Sequence, residues 1–222
     1  MATVTKATSN GKPEQEAQAS TPIRLRPIEK HTYEVPILGI TPLIMQKWSE
    51  KALQMMRDKQ YGAKAQPKRA PKEPEVDAEA ATYRLQDGRA GMPATAFKAA
   101  ISDAARMFEG ITMTQLKISI FVEGEGPEQL VAIEGPEETR EDTPRNATGV
   151  VDLRYRKQFW PWTAVLPITF PTSVLDIESV LMLVNAAGDG GVGSWRPSSP
   201  KSKSGSYGRF AVDTAHDVRQ VA

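Results

Sequence analysis

The chain has 222 residues, 40% of them hydrophobic and 25% charged, so it can bury a core, and its length suits one domain with insertions or two small ones. A formal net charge of +1 gives no global attraction to nucleic acid or membrane, so any such affinity must come from local segregation of charge. Cysteine is absent, which excludes disulfides, thiolate nucleophiles and cysteine-rich zinc sites and suits a reducing compartment.

Residues 1–22 are polar and poor in large apolar side chains, which predicts a disordered tail. The opening stretch lacks the apolar core of a signal peptide, and no apolar run approaches the length needed to cross a bilayer. The expectation is an intracellular, cytoplasmic protein with no membrane partner. Residues 31–40, HTYEVPILGI, predict a first strand in which Pro36 marks an edge or a bulge. Residues 42–62 then carry Trp48, Ala52, Leu53, Met55 and Met56 at helical spacing up to Gly62. The next stretch, to about residue 80, is dense in Pro, Lys and Glu and reads as a solvated linker.

The clearest helix is MPATAFKAAISDAARMFEG, with Pro93 in the first turn, one apolar stripe from Phe97 to Phe108, and Gly110 at its end. QLKISIFVE, residues 115–123, alternates as a strand with Leu116, Ile118, Ile120 and Val122 on one face. An acid-rich insertion follows, with a short strand near Leu130 to Ile133. VVDLRYRKQFW and TAVLPITF flank Pro161-Trp162 and read as two strands, or as one long strand with a bulge. TSVLDIESVLMLVNAAG predicts a second helix, capped by Ser173, facing inward through Leu175, Val180, Leu181 and Val184, and stopped by Gly188. YGRFAV closes the order as a last strand. With the insertions removed, the order is strand, helix, strand, strand, helix, strand. That predicts an α+β, ferredoxin-like (RRM-like) βαββαβ core with inserted helical and hairpin segments.

Between the second helix and the last strand lies GDGGVGSWRPSSPKSKSGSYGRF, residues 188–210. Glycines at 188, 190, 191 and 193 permit positive φ and close approach of backbone to phosphate oxygens. Arg196, Lys201, Lys203 and Arg209 can neutralise phosphates, and Trp195 and Tyr207 offer stacking faces. The other reading of this stretch is a solvent loop with Trp195 tucked into the core. Arg154 and Arg156 share one strand face, which fits phosphate contact or an exposed face beside the acidic insertion. Lys47, Trp48 and Lys51 interleave basic and aromatic side chains, a pattern that grips a nucleic-acid strand or simply solvates an amphipathic helix. Lys98 and Arg106 lie on the first clear helix, and Lys98 is a candidate for guide contact. Trp160 and Trp162 read as core or corner packing rather than base platforms.

The order of elements, the glycine-rich segment AAGDGGVGSWRP followed by GSYGRF, and the strand-helix pair before it resemble the RAMP superfamily of CRISPR-associated proteins. The resemblance is strongest over residues 148–212 and extends to GMPATAFKAAISDAAR; the nearest type is the Cas-seven-like backbone subunit of a CRISPR effector. It implies residues 23–213 as a single RAMP-like domain, with insertions at about 42–90 and 124–150 acting as finger-like or thumb-like elements, and a polar tail at 214–222. It further implies a partner in single-stranded RNA or DNA, head-to-tail copies of the same chain, other CRISPR effector subunits as further partners, and a part in antiviral defence. Residues 123–142 are acidic and 145–209 lean basic, which suits either an open-ended contact between copies or plain solubility of a hairpin.

No metal-ligand spacing, phosphate-binding motif or nucleophile elbow stands in the sequence, so neither cofactor, metal site nor enzyme is expected. His31 and His216 have no evident partner, and Asp58 has no motif that would make it catalytic. The alternatives are a phage or mobile-element structural protein that oligomerises without nucleic acid, and a histidine-type ribonuclease.

Overall fold

The alternating stretch around Val35 forms a strand paired on both edges. The computed structural model describes residues 26–62, 72–144, 149, 151–200 and 204–221. In it β1 (Lys30–Gly39) runs antiparallel to β8 (Thr163–Pro171) along one edge. Its other edge takes two short strands, β9 (Phe210–Val212) and β10 (Arg219–Gln220). On the far side of β8 lies β4 (Phe121–Val122), which completes a five-stranded antiparallel sheet. Pro36 therefore lies in a central strand, not at an edge. Its missing N–H falls where the outer partner of β1 changes from β10 to β9, and its carbonyl accepts from the Asp213 N–H at 2.9 Å.

Alternation sets the two faces of this sheet. Val35 and Ile37 of β1 and Ala164, Leu166, Ile168 and Phe170 of β8 are buried against two helices, α3 (Ala94–Ala104) and α5 (Ile177–Gly190). The helices contribute Phe97, Ala100, Ile101 and Ala104, and Val180, Leu183, Val184 and Ala187, and they pack on each other. The 3-10 turn Ala105–Met107 prolongs α3, and Phe108 beyond it is 37% exposed. Asp176, not Ser173, caps α5: its carboxylate accepts the Ser179 N–H at 2.7 Å.

A second antiparallel sheet is ordered β2 (Leu43–Ile44), β7 (Arg154–Phe159), β6 (Glu137–Asp142), and α2 (Pro74–Ala80) packs on β7 and β6. A third unit pairs β3 (Gly91–Pro93) with β5 (Leu130–Ala132), the short strand expected in the insertion. β7 and β8 therefore belong to different sheets, joined by the turn at the cis Trp160–Pro161 peptide, rather than forming one bulged strand.

Three further expectations are corrected. The helix read over 42–62 is confined to α1 (Glu50–Gln60), because Leu43, Ile44 and Met45 are all fully buried, and three successive residues cannot share one helix face. The supposed strand at 115–123 is mostly the helix α4 (Met113–Ser119), opened by a reciprocal bond between Thr112 and Gln115. The polar stretch 74–80 is helical, with Pro74 in the first turn. Residues 1–22 and 63–71 lie outside the described residues.

Candidate nucleic-acid interface

The glycine-rich stretch after α5 is held to the body through its own backbone. Val192 N–H donates to Gly208 O at 2.9 Å, Gly208 N–H to Pro42 O at 2.8 Å, Ser194 N–H to Ile44 O at 2.9 Å and Ser198 N–H to Gly190 O at 3.0 Å. Gly191 and Gly208 both have φ of +67°, and a Cβ on Gly208 would collide with the Val192 carbonyl oxygen. These glycines permit backbone to lie on backbone within the chain. Gly191 and Gly193 do line a cleft, but their tightest approach is to the Tyr207–Gly208 and Ile44 main chains.

Trp195 has a positive φ of 56°, a conformation that a bulky residue adopts only when its surroundings hold it there. What holds it is aromatic and cationic. Tyr207 lies 5.9 Å away, ring centroid to centroid, and the Arg156 and Arg140 guanidinium carbons stand 4.5 and 5.5 Å from the Trp195 ring. Arg140 is also 4.8 Å from the Tyr207 ring. Arg140 on β6 and Arg156 on β7 are directly opposed in register, an arrangement in which like charges repel. Asp142 resolves the conflict by binding both, at 2.7 Å to Arg140 Nε and 2.5 Å to Arg156 Nη2. Arg156 is 2% exposed, and burial pushes its guanidinium below the ordinary arginine value, against the opposing pull of Asp142.

Beside this cluster lies a cleft of about 520 Å³. One wall is α3 with its entry, from Pro93 to Asp103; the other is the loop from Gly191 to Ser199; Gln46, Trp48 and Tyr83 close one side. Gln46 is tied to both walls, its Oε1 accepting from Arg156 Nη1 at 3.2 Å and Ser194 Oγ at 3.3 Å. Arg196 bonds Ser198 Oγ and Gly193 O at 3.1 Å each and has no carboxylate partner among the described residues. Its charge is available to an anion.

Of the residues singled out from sequence, Trp48, Arg156, Gly191, Gly193, Trp195 and Arg196 line this cleft. Arg156 does so as a buried, paired group, not as a free cation. Tyr207 supports Trp195 from outside the lining. Lys47 pairs with Glu128 at 3.1 Å, Arg154 with Asp152 at 3.0 Å and Arg209 with Asp189 at 2.7 Å. Lys98 stands away from the cleft, 4.0 Å from the Phe121 ring. Lys51 lies on α1, and Lys201 and Lys203 lie outside the described residues. Sequence reasoning missed Arg140, Asp142, Gln46 and Tyr83. Arg140 is the lone cation of EETRED, and that was the available signal.

His31 bonds Glu29 at 3.3 Å and His216 bonds Asp213 at 2.7 Å. Trp162 is buried with its indole N–H donated to Thr41 O at 2.9 Å, while Trp160 is 45% exposed. Among the described residues no group of three or more His, Asp or Glu is placed to hold a metal ion, and no helix is long and apolar enough to cross a membrane.

No family model matches the chain, and no curated protein does. Among solved structures it is similar to a chain in the cryo-EM structure of the Type III-B Cmr-beta bound to cognate target RNA. The identity there is 9% and the TM-score 0.48, over 86% of this chain and 61% of that one. It is also similar to Cmr6 from Pyrococcus furiosus, at 10% identity and a TM-score of 0.38, over 84% of this chain and 100% of that one. The chain thus spans less than two thirds of the Cmr-beta chain it matches.

Proposed function

We propose that this chain is a non-catalytic subunit that binds single-stranded nucleic acid, guide RNA in the first place, in the manner of a RAMP-type CRISPR effector backbone, and that copies associate head to tail in the cytoplasm. The core belongs to the ferredoxin-like βαββαβ type on this reading. Its support is the order β1, α3, β4, β8, α5, β9 along the chain with β4, β8, β1 and β9 side by side in the sheet and both helices on one face.

The observation that carries the binding function is the cleft. It joins two indoles, Trp48 and Trp195, and a phenol, Tyr83, to the uncompensated Arg196. Stacking surfaces beside a cation are what a single strand needs: bases supply π-faces and the backbone supplies charge, with little demand on sequence. Trp195 is already ordered by its guanidinium and phenol neighbours, so binding does not have to immobilise it. The paired arginines act beneath it as a platform.

Fluorescence anisotropy of a labelled single-stranded RNA against the full chain tests this. Trp195→Ala is expected to weaken binding by about 5- to 100-fold, the range that one lost stacking contact gives. Arg196→Ala, which leaves the aromatic cluster intact, is expected to weaken it about 5-fold and to flatten its salt dependence. Wild-type protein that leaves both RNA and single-stranded DNA unbound at low salt overturns the reading.

A further inference from the structure

The face of the five-stranded sheet turned away from α3 and α5 forms the floor of a second groove, of about 570 Å³, on the other side of the molecule's main sheet from the helices. Its floor is Pro36 of β1 with Val165 and Pro167 of β8, and Val165 is 48% exposed. One bank is the β5 strand with its flanking turns, and the other is the segment that leads from β9 into β10. The lining charge is one-sided. Glu34, Glu123, Glu125, Glu134, Asp213 and Asp217 face only Arg89, Arg219 and His216.

Several of these carboxylates are already engaged. Glu125 binds Arg89 at 2.9 Å, Glu34 binds Arg219 at 3.4 Å, and Asp213 binds His216. Glu123, Glu134 and Asp217 are exposed and have no side-chain partner among the described residues. An apolar sheet floor with unneutralised carboxylates along its rim fits an extended, basic peptide segment. Cations meet the rim while backbone and aliphatic stems cover the floor.

The chain carries such a segment. Residues 63–71, AKAQPKRAP, hold Lys64, Lys68 and Arg69 and no acid. The next residue, Lys72, is anchored to Asp152 at 3.2 Å and to the Leu153 carbonyl, just before β7 begins. The groove lies past the other end of that six-residue strand, at Thr163 and Glu134. Lys72, the residue that follows the segment, and the groove thus lie about 20 Å apart along β7, near its opposite ends. That separation suits a heterologous contact, in which each copy gives to the next and receives from the last.

We propose that the acidic groove on the open sheet face docks the basic segment 63–71 of a second copy of this chain. The proposal rests on the head-to-tail association read above, but not on the nucleic-acid cleft, whose residues it does not use. It is tested by light scattering behind size exclusion, without nucleic acid, at about 50 mM salt, where charge pairing is weakly screened. Glu123→Lys, Glu134→Lys and Asp217→Lys together are expected to weaken self-association at least about tenfold, and so are Lys64→Glu, Lys68→Glu and Arg69→Glu together. All six positions are on the surface or outside the described residues, and circular dichroism checks that both triple variants stay folded. Mixing the two variants restores association, because each variant's segment then meets a groove of opposite sign. Three outcomes overturn the proposal: wild-type protein that stays monomeric, triple variants that associate as well as wild type, and a mixture that fails to associate. A labelled peptide of residues 62–72 that binds the groove while the chain remains monomeric also overturns it, since the groove then takes the segment of its own chain and not that of a second copy. Anisotropy with RNA, run in parallel on the same variants, separates the two readings: undiminished association of the triple variants with intact RNA binding sinks the groove alone.

Discussion

Asp142 shows how one side chain sets the interface. It is the only acid bound to both Arg140 and Arg156 among the described residues, and both it and Arg156 are nearly sealed, with 4% and 3% of their side chains exposed. Removing one partner from a buried ion pair leaves an uncompensated charge, which costs about 3–5 kcal/mol. Asp142→Ala is therefore expected to lower unfolding stability by about that amount in a denaturant titration. It also removes the group that keeps the two opposed guanidiniums together under Trp195, so RNA affinity falls with it. The double variant Asp142→Ala, Arg156→Met takes away the stranded charge as well and is expected to regain more than half of the lost stability, a recovery that the denaturation midpoint reads directly.

At the level of elements, apolar period was readable wherever a segment buries one face against the main core. β1, α3 and α5 follow from Val35 and Ile37, from Phe97, Ile101 and Ala104, and from Val180, Val184 and Ala187. Period misled at α4, where alternating Leu116, Ile118, Ile120 and Val122 mimic a strand. Leu116 and Ile120 are buried at helical spacing while Ile118 is 73% exposed, and the Thr112–Gln115 box was the signal that outweighs alternation. The site was legible only in part. Trp195, Arg196 and Trp48 declare themselves by type, but Arg140 matters through its register against Arg156, a pairing no local pattern reports. The loop glycines were visible, yet what they approach is main chain distant in sequence. Capping at α5 gives an element-scale test. The Ser179 backbone N–H and side chain hold the Asp176 carboxyl below its ordinary value of 3.8. A carboxyl lowered in the folded state stabilises fully above its unfolded value, and the contribution fades as pH falls through the folded one. Asp176→Asn keeps a capping oxygen without a titrating group. Its stability relative to wild type is therefore expected to improve as pH falls below about 4, and equal acid slopes for the two proteins in thermal melts would show that the cap does not titrate.

On the scale of the whole molecule, near-neutral net charge conceals two faces of unlike character, an acidic sheet face and an aromatic cleft with few free cations. Most arginines near the cleft already hold a carboxylate: Arg140 and Arg156 share Asp142, Arg154 shares Asp152 with Lys72, and Arg209 pairs with Asp189. Cations that keep their carboxylates release no counterions from a bound strand, so they do not enter the salt dependence of binding. What remains is Arg196 from the described loop and, from sequence, Lys201 and Lys203. Each phosphate neutralised on a single strand contributes about 0.7 to the slope of log affinity against log salt, so binding of one RNA segment per chain is expected to follow a slope near −2. Lys201→Ala with Lys203→Ala brings it to about −0.7, with most of the affinity at high salt retained by stacking on Trp195. A wild-type slope of about −5 or steeper means instead that the paired arginines exchange their carboxylates for phosphates, and the cluster around Asp142 is then an electrostatic switch rather than a rigid platform.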